Sequence, residues 1–294
     1  MDPLMFYAAQ SRITDPGPYA PRFADLPSDV AGLCGVVQGL VLHYRSGPLD
    51  NDLVQADRLA EIDLRYVARM LDRLFVLDDR SLVEPRAPEK RLVGCCRDFA
   101  VLLCSLARAR GIPARVRVGF ATYFAEDFCH DHAIAEVWDA DERRWRLVDP
   151  EIGEELHPAN PLAFDARDVP RDQFLVGGLA WQLCREKRAI PEKFGVGPDE
   201  EAKGWWFIRH KLIQDLAALN KQELLLWDCW GLMEDGPTET DLALLDGVAI
   251  LTQGGNETFS GVRAVYEREP GLRVPAVVNS YSPVAPPDKV VLGF

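Results

Sequence analysis

Between positions 96 and 149 the chain changes hydrophobic period once, and that change constrains its fold more than any other feature. Phe99, Leu102, Leu103 and Leu106 recur at helical spacing, Gly111 can supply a left-handed end, and Pro113 forbids continuation. A buried helix is therefore expected from Cys96 to Arg110. The period then drops to two. Val116, Val118 and Phe120 alternate with Arg115, Arg117 and Gly119, which predicts a half-buried strand. Residues 132–138 and 144–149 alternate likewise around Asp139-Ala140-Asp141-Glu142, which predicts a hairpin. Helices followed by an antiparallel sheet, with a central helix packed on it, place the chain in the α+β class.

The flanks are less regular. Residues 1–27, rich in Pro and aromatics, are expected to form an extended arm on the surface. Ser28 can cap a helix whose stripe is Leu33, Val37, Leu40, Val41 and Tyr44, ending at Ser46-Gly47-Pro48. A second helical region is expected over 52–76, where Ile62, Tyr66, Met70 and Leu74 recur every fourth position; 78–90 reads as a surface connection. Beyond 150, Asn160-Pro161 and prolines 158 and 170 mark loops, and helices are expected near 177–188 and 205–219. The last fifty residues mix a helical start, a Gly-Gly-Asn loop and a Pro-rich tail. With neither internal repeat nor clean linker, the expected organisation is an arm (1–27), a core (28–155) and a mixed, largely helical extension packed on it (156–294).

Composition narrows the function. At 294 residues the chain is long enough for one large domain or two ordinary ones, and 48% hydrophobic residues can bury a full core. Lys+Arg of 33 against Asp+Glu of 46 gives a net charge of −13 with no dense basic run, which argues against general nucleic-acid binding. No apolar stretch approaches the ~20 residues of a membrane helix, and MDPLMFYAAQSRITDPG does not read as a secretory signal. Seven unevenly spaced cysteines do not look like a disulfide framework; a reducing, cytoplasmic setting is expected.

Three residues stand out together: Cys96, His132 and Asp149. A cysteine opening a helix faces unpaired N–H groups and the positive end of the helix dipole, both of which favour thiolate. The same N–H groups can stabilise an oxyanion. His132, Ile134, Glu136 and Trp138 share one face of their strand, as Trp145, Leu147 and Asp149 do of theirs. Pairing through a loop of four residues sets His132 opposite Asp149; a loop of six sets Asp149 diagonal to His132. Either register lets Asp149 fix the imidazole tautomer while the other ring nitrogen deprotonates Cys96. Singly, each residue is more often plain packing or an ordinary hydrogen bond; the joint order of the three raises catalysis above that reading.

The runs GCCRDFAVLLCSLARARGIPARVRVGFATYF, DHAIAEVW and RRWRLVDP resemble the core of the transglutaminase-like superfamily over about 94–151. That superfamily shows a G-x-C-x-D-x-A helix start, a G-I-P-A-R turn, a D-H-A-x-x-E-x-W strand and a final W-x-x-V-D-P. The resemblance implies a papain-like fold with Cys96 as nucleophile, His132 as base and Asp149 as orienter. Its spacing selects Cys96 over the adjacent Cys95. Many relatives place an indole or amide upstream of the cysteine in the oxyanion hole; no Trp precedes Trp138, and Gln38 is the only amide in the first helix.

Other groups offer weaker readings. Cys129, His130, Asp131 and His132 cluster with Cys95 and Cys96, but no C-x-x-C spacing supports zinc, so no metal is expected. Trp205, Trp206 and Trp230, with Trp227, could line a cleft for an apolar acyl group, although packing is the commoner task of such residues. His43 and His210 read as surface or capping residues, and no nucleotide or calcium motif occurs, so no cofactor is called for. The expectation is a Cys-His-Asp hydrolase or acyltransferase that cleaves or forms an amide through a thioester, as a peptidase, amidase, transglutaminase or amide synthase. Its partners would be a peptide, protein or small-molecule acyl donor and water or an amine as acceptor, with neither nucleic acid nor membrane. The alternative is a catalytically idle binding or scaffold module.

Overall fold

The structure, a computed structural model, describes residues 1–45, 56–153, 162–234 and 236–293. Helices and antiparallel strands are mixed in an α+β arrangement. Two compact units emerge, Met1–Val116 with Ile134–Val169, and Arg117–Ala133 with Pro170–Phe294. The chain changes unit inside two strands and again between Val169 and Pro170, rather than at the expected 27 and 155.

The first unit runs through α1 (Pro3–Ala8), α2 (Val30–Leu40), β1 (Val41–His43), α3 (Val67–Leu77), β2 (Leu92–Gly94) and α4 (Cys96–Ala109). It ends with the first residues of β3 (Ala114–Ala121), the later residues of β4 (Cys129–Asp139) and all of β5 (Arg144–Val148). The N-terminal segment is not an extended arm. Its prolines favour a 3-10 turn at Gly17–Phe23, and Tyr7, Ile13, Phe23 and Leu26 are buried. Polar bonds fix it to α4: the Ser105 hydroxyl donates to the Thr14 carbonyl (2.7 Å), and Arg108 Nη1 donates to Thr14 Oγ1 (2.7 Å).

Asp29, not Ser28, caps α2 by accepting the Gly32 N–H at 2.9 Å. The helix stops at Leu40 and the chain continues as β1, which pairs in parallel with β2 so that His43 aligns with Gly94. Val41 and Tyr44, expected on the helical stripe, therefore lie beyond it, and β-branched Val41 suits a strand. Helix α3 is preceded by a 3-10 turn at Ala56–Asp63 instead of forming one helix with it. The expected stop at 46–48, the start at 52–55 and the loop marks at 158 and 160–161 lie outside the described residues.

Every residue of α4 from Cys96 to Arg108 is buried. Strand β3 is buried along its whole length as well, not on one face only. Its alternating arginines misled because they are ion-paired inside rather than solvated. In the first unit Arg115 reaches Glu136 at 2.7 Å and lies over the Trp145 ring at 4.3 Å. The hairpin of β4 and β5 pairs Trp138 with Trp145 and Ala135 with Val148. That is the longer-loop register. Asp139 Oδ1 accepts the Asp141 and Glu142 N–H groups at 2.9 Å each, and Arg143 takes φ 53° to close the turn.

The second unit holds the remaining parts of β3 and β4, then β6 (Phe174–Val176), α5 (Gly177–Arg185), β7 (Phe194–Gly195) and α6 (Trp205–Leu219). After these come β8 (Asp228–Cys229), α7 (Glu239–Thr252), α8 (Phe259–Arg268), β9 (Val277–Ser280) and β10 (Asp288–Val291). Helix α5 packs on α6 and α7, while β8, β9 and β10 form a separate small sheet. Strand β6 pairs with β3 so closely at Gly119 that a Cβ there would stand 2.2 Å from the Leu175 carbonyl oxygen. Arg117 donates to both Asp215 oxygens (3.0 and 2.8 Å) and to the Thr252 carbonyl (2.6 Å), with both side chains fully buried. Among the described residues no helix is long and apolar enough to cross a membrane.

Candidate active site

Cys96 is the first residue of α4 and is 6% exposed. Cys95 precedes it as the N-cap in extended backbone (φ −124°, ψ 178°). Its N–H donates to Asp98 Oδ2 at 2.8 Å, while its sulfur accepts the Asp98 N–H, completing a reciprocal capping box. Asp98 also accepts from Arg97 Nη1 at 3.0 Å, so the turn that aims Cys96 is fixed by a buried ion pair. Cys95 and Cys96 thereby take different tasks. A hydrogen bond with Cys96 favours ionisation of Cys95, but burial and nearby Asp98 outweigh it, and the Cys95 thiol is raised above its ordinary pKa.

The β1–β2 pairing brings a residue from far upstream to this helix start. His43 aligns with Gly94, two positions before Cys96. A His43 ring nitrogen, Cys96 Sγ and a Glu151 carboxylate oxygen lie within 4.8 Å of one another. His43 is half-buried and lies beside the helix start. The Arg45 backbone N–H donates to His43 Nδ1 at 3.1 Å, so the neutral ring carries its proton on Nε2. Glu151 was missed because its placement depends on a local turn: Asp149 Oδ1 accepts the Glu151 N–H at 3.1 Å. The sequence Asp149-Pro150-Glu151 carries that turn signal. Nothing comparable announced His43, since a three-residue parallel strand leaves no periodicity.

Asp149 is 2% exposed, and its own N–H donates to the Ala166 carbonyl at 2.7 Å. Burial, and after it the nearness of Asp149, pushes the Cys34 thiol up to about 12. Gln38 Nε2 donates to the Ile152 carbonyl at 3.0 Å, so this amide holds the segment following Asp149.

His132 belongs to the second unit, whereas Cys96 and Asp149 belong to the first. Its ring is 3% exposed and meets the edges of Phe124, Tyr123 and Phe174 at 5.0, 6.2 and 6.3 Å between centroids. His130 Nδ1 stands 3.1 Å from the Val196 carbonyl, and Asp131 pairs with buried Lys211 at 3.2 Å. Trp205 and Trp206 are 42% and 45% exposed, while Trp230 is buried with its indole N–H donating to the Leu272 carbonyl at 3.2 Å. His210 is half-buried: Nε2 bonds the Met233 carbonyl at 2.7 Å and Nδ1 lies 3.6 Å from Cys229 Sγ.

Residues 77–150, less than half of the chain, match the family model described as the transglutaminase-like superfamily. That stretch contains Cys96, His132 and Asp149, and the match supports a cysteine-dependent enzyme in general terms. No curated protein matches the sequence. A solved structure from Cytophaga hutchinsonii, assigned by inference as a cysteine protease, is similar at 17% identity with a TM-score of 0.33. The alignment covers 59% of this chain and 45% of that one, a likeness too slight to carry any argument.

Proposed function

We propose that the protein is an acyl-transfer enzyme that cleaves or forms an amide bond through a Cys96 thioester. Cys96 is the nucleophile, His132 the general base and Asp149 the group that orients the imidazole. The observation that carries this reading is the placement of Cys96, buried, at the first position of α4, at the positive end of the helix dipole. The thiolate attacks the acyl carbon, the backbone N–H groups at the helix start hold the oxyanion, and His132 returns the proton to the departing amine. Water or an amine then takes the acyl group. His43 is the poorer base: its acceptor nitrogen Nδ1 already receives the Arg45 N–H, which leaves Nε2 as a donor.

The donor is a peptide, a protein or a small amide, and a net charge of −13 favours a cationic or neutral one. Exposed Trp205 and Trp206 are candidates for holding its apolar part. A reducing compartment such as the cytoplasm suits a chain with seven cysteines and no disulfide among them.

Iodoacetamide labelling against pH tests this. Wild-type Cys96 should react with an apparent pKa well below the ~8.5 of a free thiol. His132→Asn should move the profile towards that value, whereas His43→Gln should not. Labelling of Cys96 no faster than a free thiol would sink the proposal and leave the idle binding module standing. Trapping an acyl-Cys96 adduct from peptide and metabolite pools, read by mass spectrometry, would identify the donor.

A further inference from the structure

We propose that Cys96, His43 and Glu151 form a binding site for a borderline-soft divalent cation, zinc above all, which reversibly silences the nucleophile. The metal site stands on the first unit alone. Only its consequence for catalysis rests on the reading of Cys96 given above.

The donor set has the required chemistry. A thiolate, an imidazole and a carboxylate are the three protein ligand types of zinc, and three of them leave a fourth tetrahedral position for water. Ligands about 2.0–2.3 Å from a tetrahedral ion stand roughly 3.5 Å from one another. The three donor atoms already lie within 4.8 Å, so side-chain rotation of about an ångström closes the cage. Cys96 and Glu151 are 6% and 7% exposed, and a thiolate and a carboxylate together balance a divalent charge. Softer than magnesium or calcium, the set discriminates against both.

Two supports hold the ligands in place. Asp149 fixes the turn that directs Glu151, and the β1–β2 ladder fixes His43 beside the helix start. Ligation by either ring nitrogen costs the same bond. Through Nδ1 the ion replaces the Arg45 N–H directly; through Nε2 the ring proton must move to Nδ1, which also displaces that N–H. The Arg45 N–H is exposed, so water takes the place of the imidazole. On binding, the Cys96 proton leaves to solvent, sulfur donates to the metal, and no electron changes hands.

The test uses the full chain and zinc chloride, with cobalt(II) as a spectroscopic substitute. Equilibrium dialysis should give one zinc per chain, and cobalt should show a thiolate-to-metal charge-transfer band. Cys96→Ser should abolish that band, and His43→Gln and Glu151→Gln should each weaken zinc binding by about tenfold or more. Zinc should also slow iodoacetamide labelling of Cys96 until EDTA restores it. Circular dichroism of the variants, with the cobalt band in the unmutated chain, separates ligand loss from misfolding. Absence of zinc binding, or binding unchanged in all three variants, would overturn the site. Both readouts need no substrate, so a chain that binds zinc through Cys96 but never forms an acyl adduct refutes the enzyme and keeps the metal site. Acyl transfer without zinc binding does the reverse.

Discussion

Six of the seven cysteines sit in surroundings that disfavour the thiolate. Burial pushes the Cys184 and Cys229 thiols up to about 12, as it does Cys34, and raises Cys129; Cys95 is raised too, and Cys104 is wholly buried. Brief alkylation of the folded protein near neutral pH, followed by peptide mapping, should find label on Cys96 alone. His210 makes a second residue-scale prediction. Burial drives its pKa down to about 4, against the Met233 carbonyl bond that favours charge. An unfolded histidine titrates near 6.5, so the unfolded chain takes up this proton first on acidification. Stability should fall between about pH 6.5 and about 4, by up to about 3 kcal/mol, and His210→Gln should flatten that slope in denaturant titrations. Neutral His210 donates from Nε2 to Met233 and leaves Nδ1 to accept the Cys229 S–H.

At the scale of elements, Glu61 is the tie to watch. It accepts from Arg58 (2.8 and 2.9 Å), from Arg73 (2.7 Å) and from the Val93 backbone N–H (2.9 Å), joining a 3-10 turn to β2 just before Cys96. Burial works to raise its pKa, but these four donors prevail and hold it below the usual carboxylate range. Its contribution is therefore present above pH ~4.3 and is lost as pH falls through the folded value. Glu61→Gln leaves buried Arg58 without its carboxylate and should cost about 3–5 kcal/mol in urea unfolding at pH 7. Elements also show where legibility ended. Helix α4 and the β4–β5 hairpin could be read because their periods are long and their ends carry Gly111, Pro113 and Asp139. Strand β1 could not, for three residues make no pattern and its partner lies some fifty positions downstream. The arginines of β3 misled for another reason: alternation marks a polar face, and a polar face is solvated only when no buried acid awaits it. In the site, Cys96 and Asp149 could be placed from the same regular elements, whereas His43 and Glu151 depended on long-range pairing and a local turn.

For the whole molecule, the two units cannot be separated by one cut. Each takes part of β3 and part of β4, and successive buried arginines of β3 serve different units: Arg115 meets Glu136 in one, Arg117 meets Asp215 in the other. Expression of residues 28–155 alone removes Asp215 and the Thr252 carbonyl, the partners of Arg117, strips β6 from β3, and loses the Thr14 anchor of α4 as well. Phe120, whose ring meets Phe194 and Phe207, is then exposed at a cost of about 1.5–3 kcal/mol, a sizeable part of the net stability of an ordinary domain. That fragment should be insoluble or lack a cooperative thermal transition, whereas the full chain should melt cooperatively in calorimetry.

The interleaving bears on descent as much as on stability. A continuous domain can be traded between genes by recombination at its two ends. Here one unit is assembled from Arg117–Ala133 and everything from Pro170 onward, with the other unit's Ile134–Val169 lying between them. Replacing it would require breakpoints inside two neighbouring strands together with a third downstream, all inherited at once. The two halves are therefore bound to diversify as a single lineage, residue by residue, and not by exchange of modules.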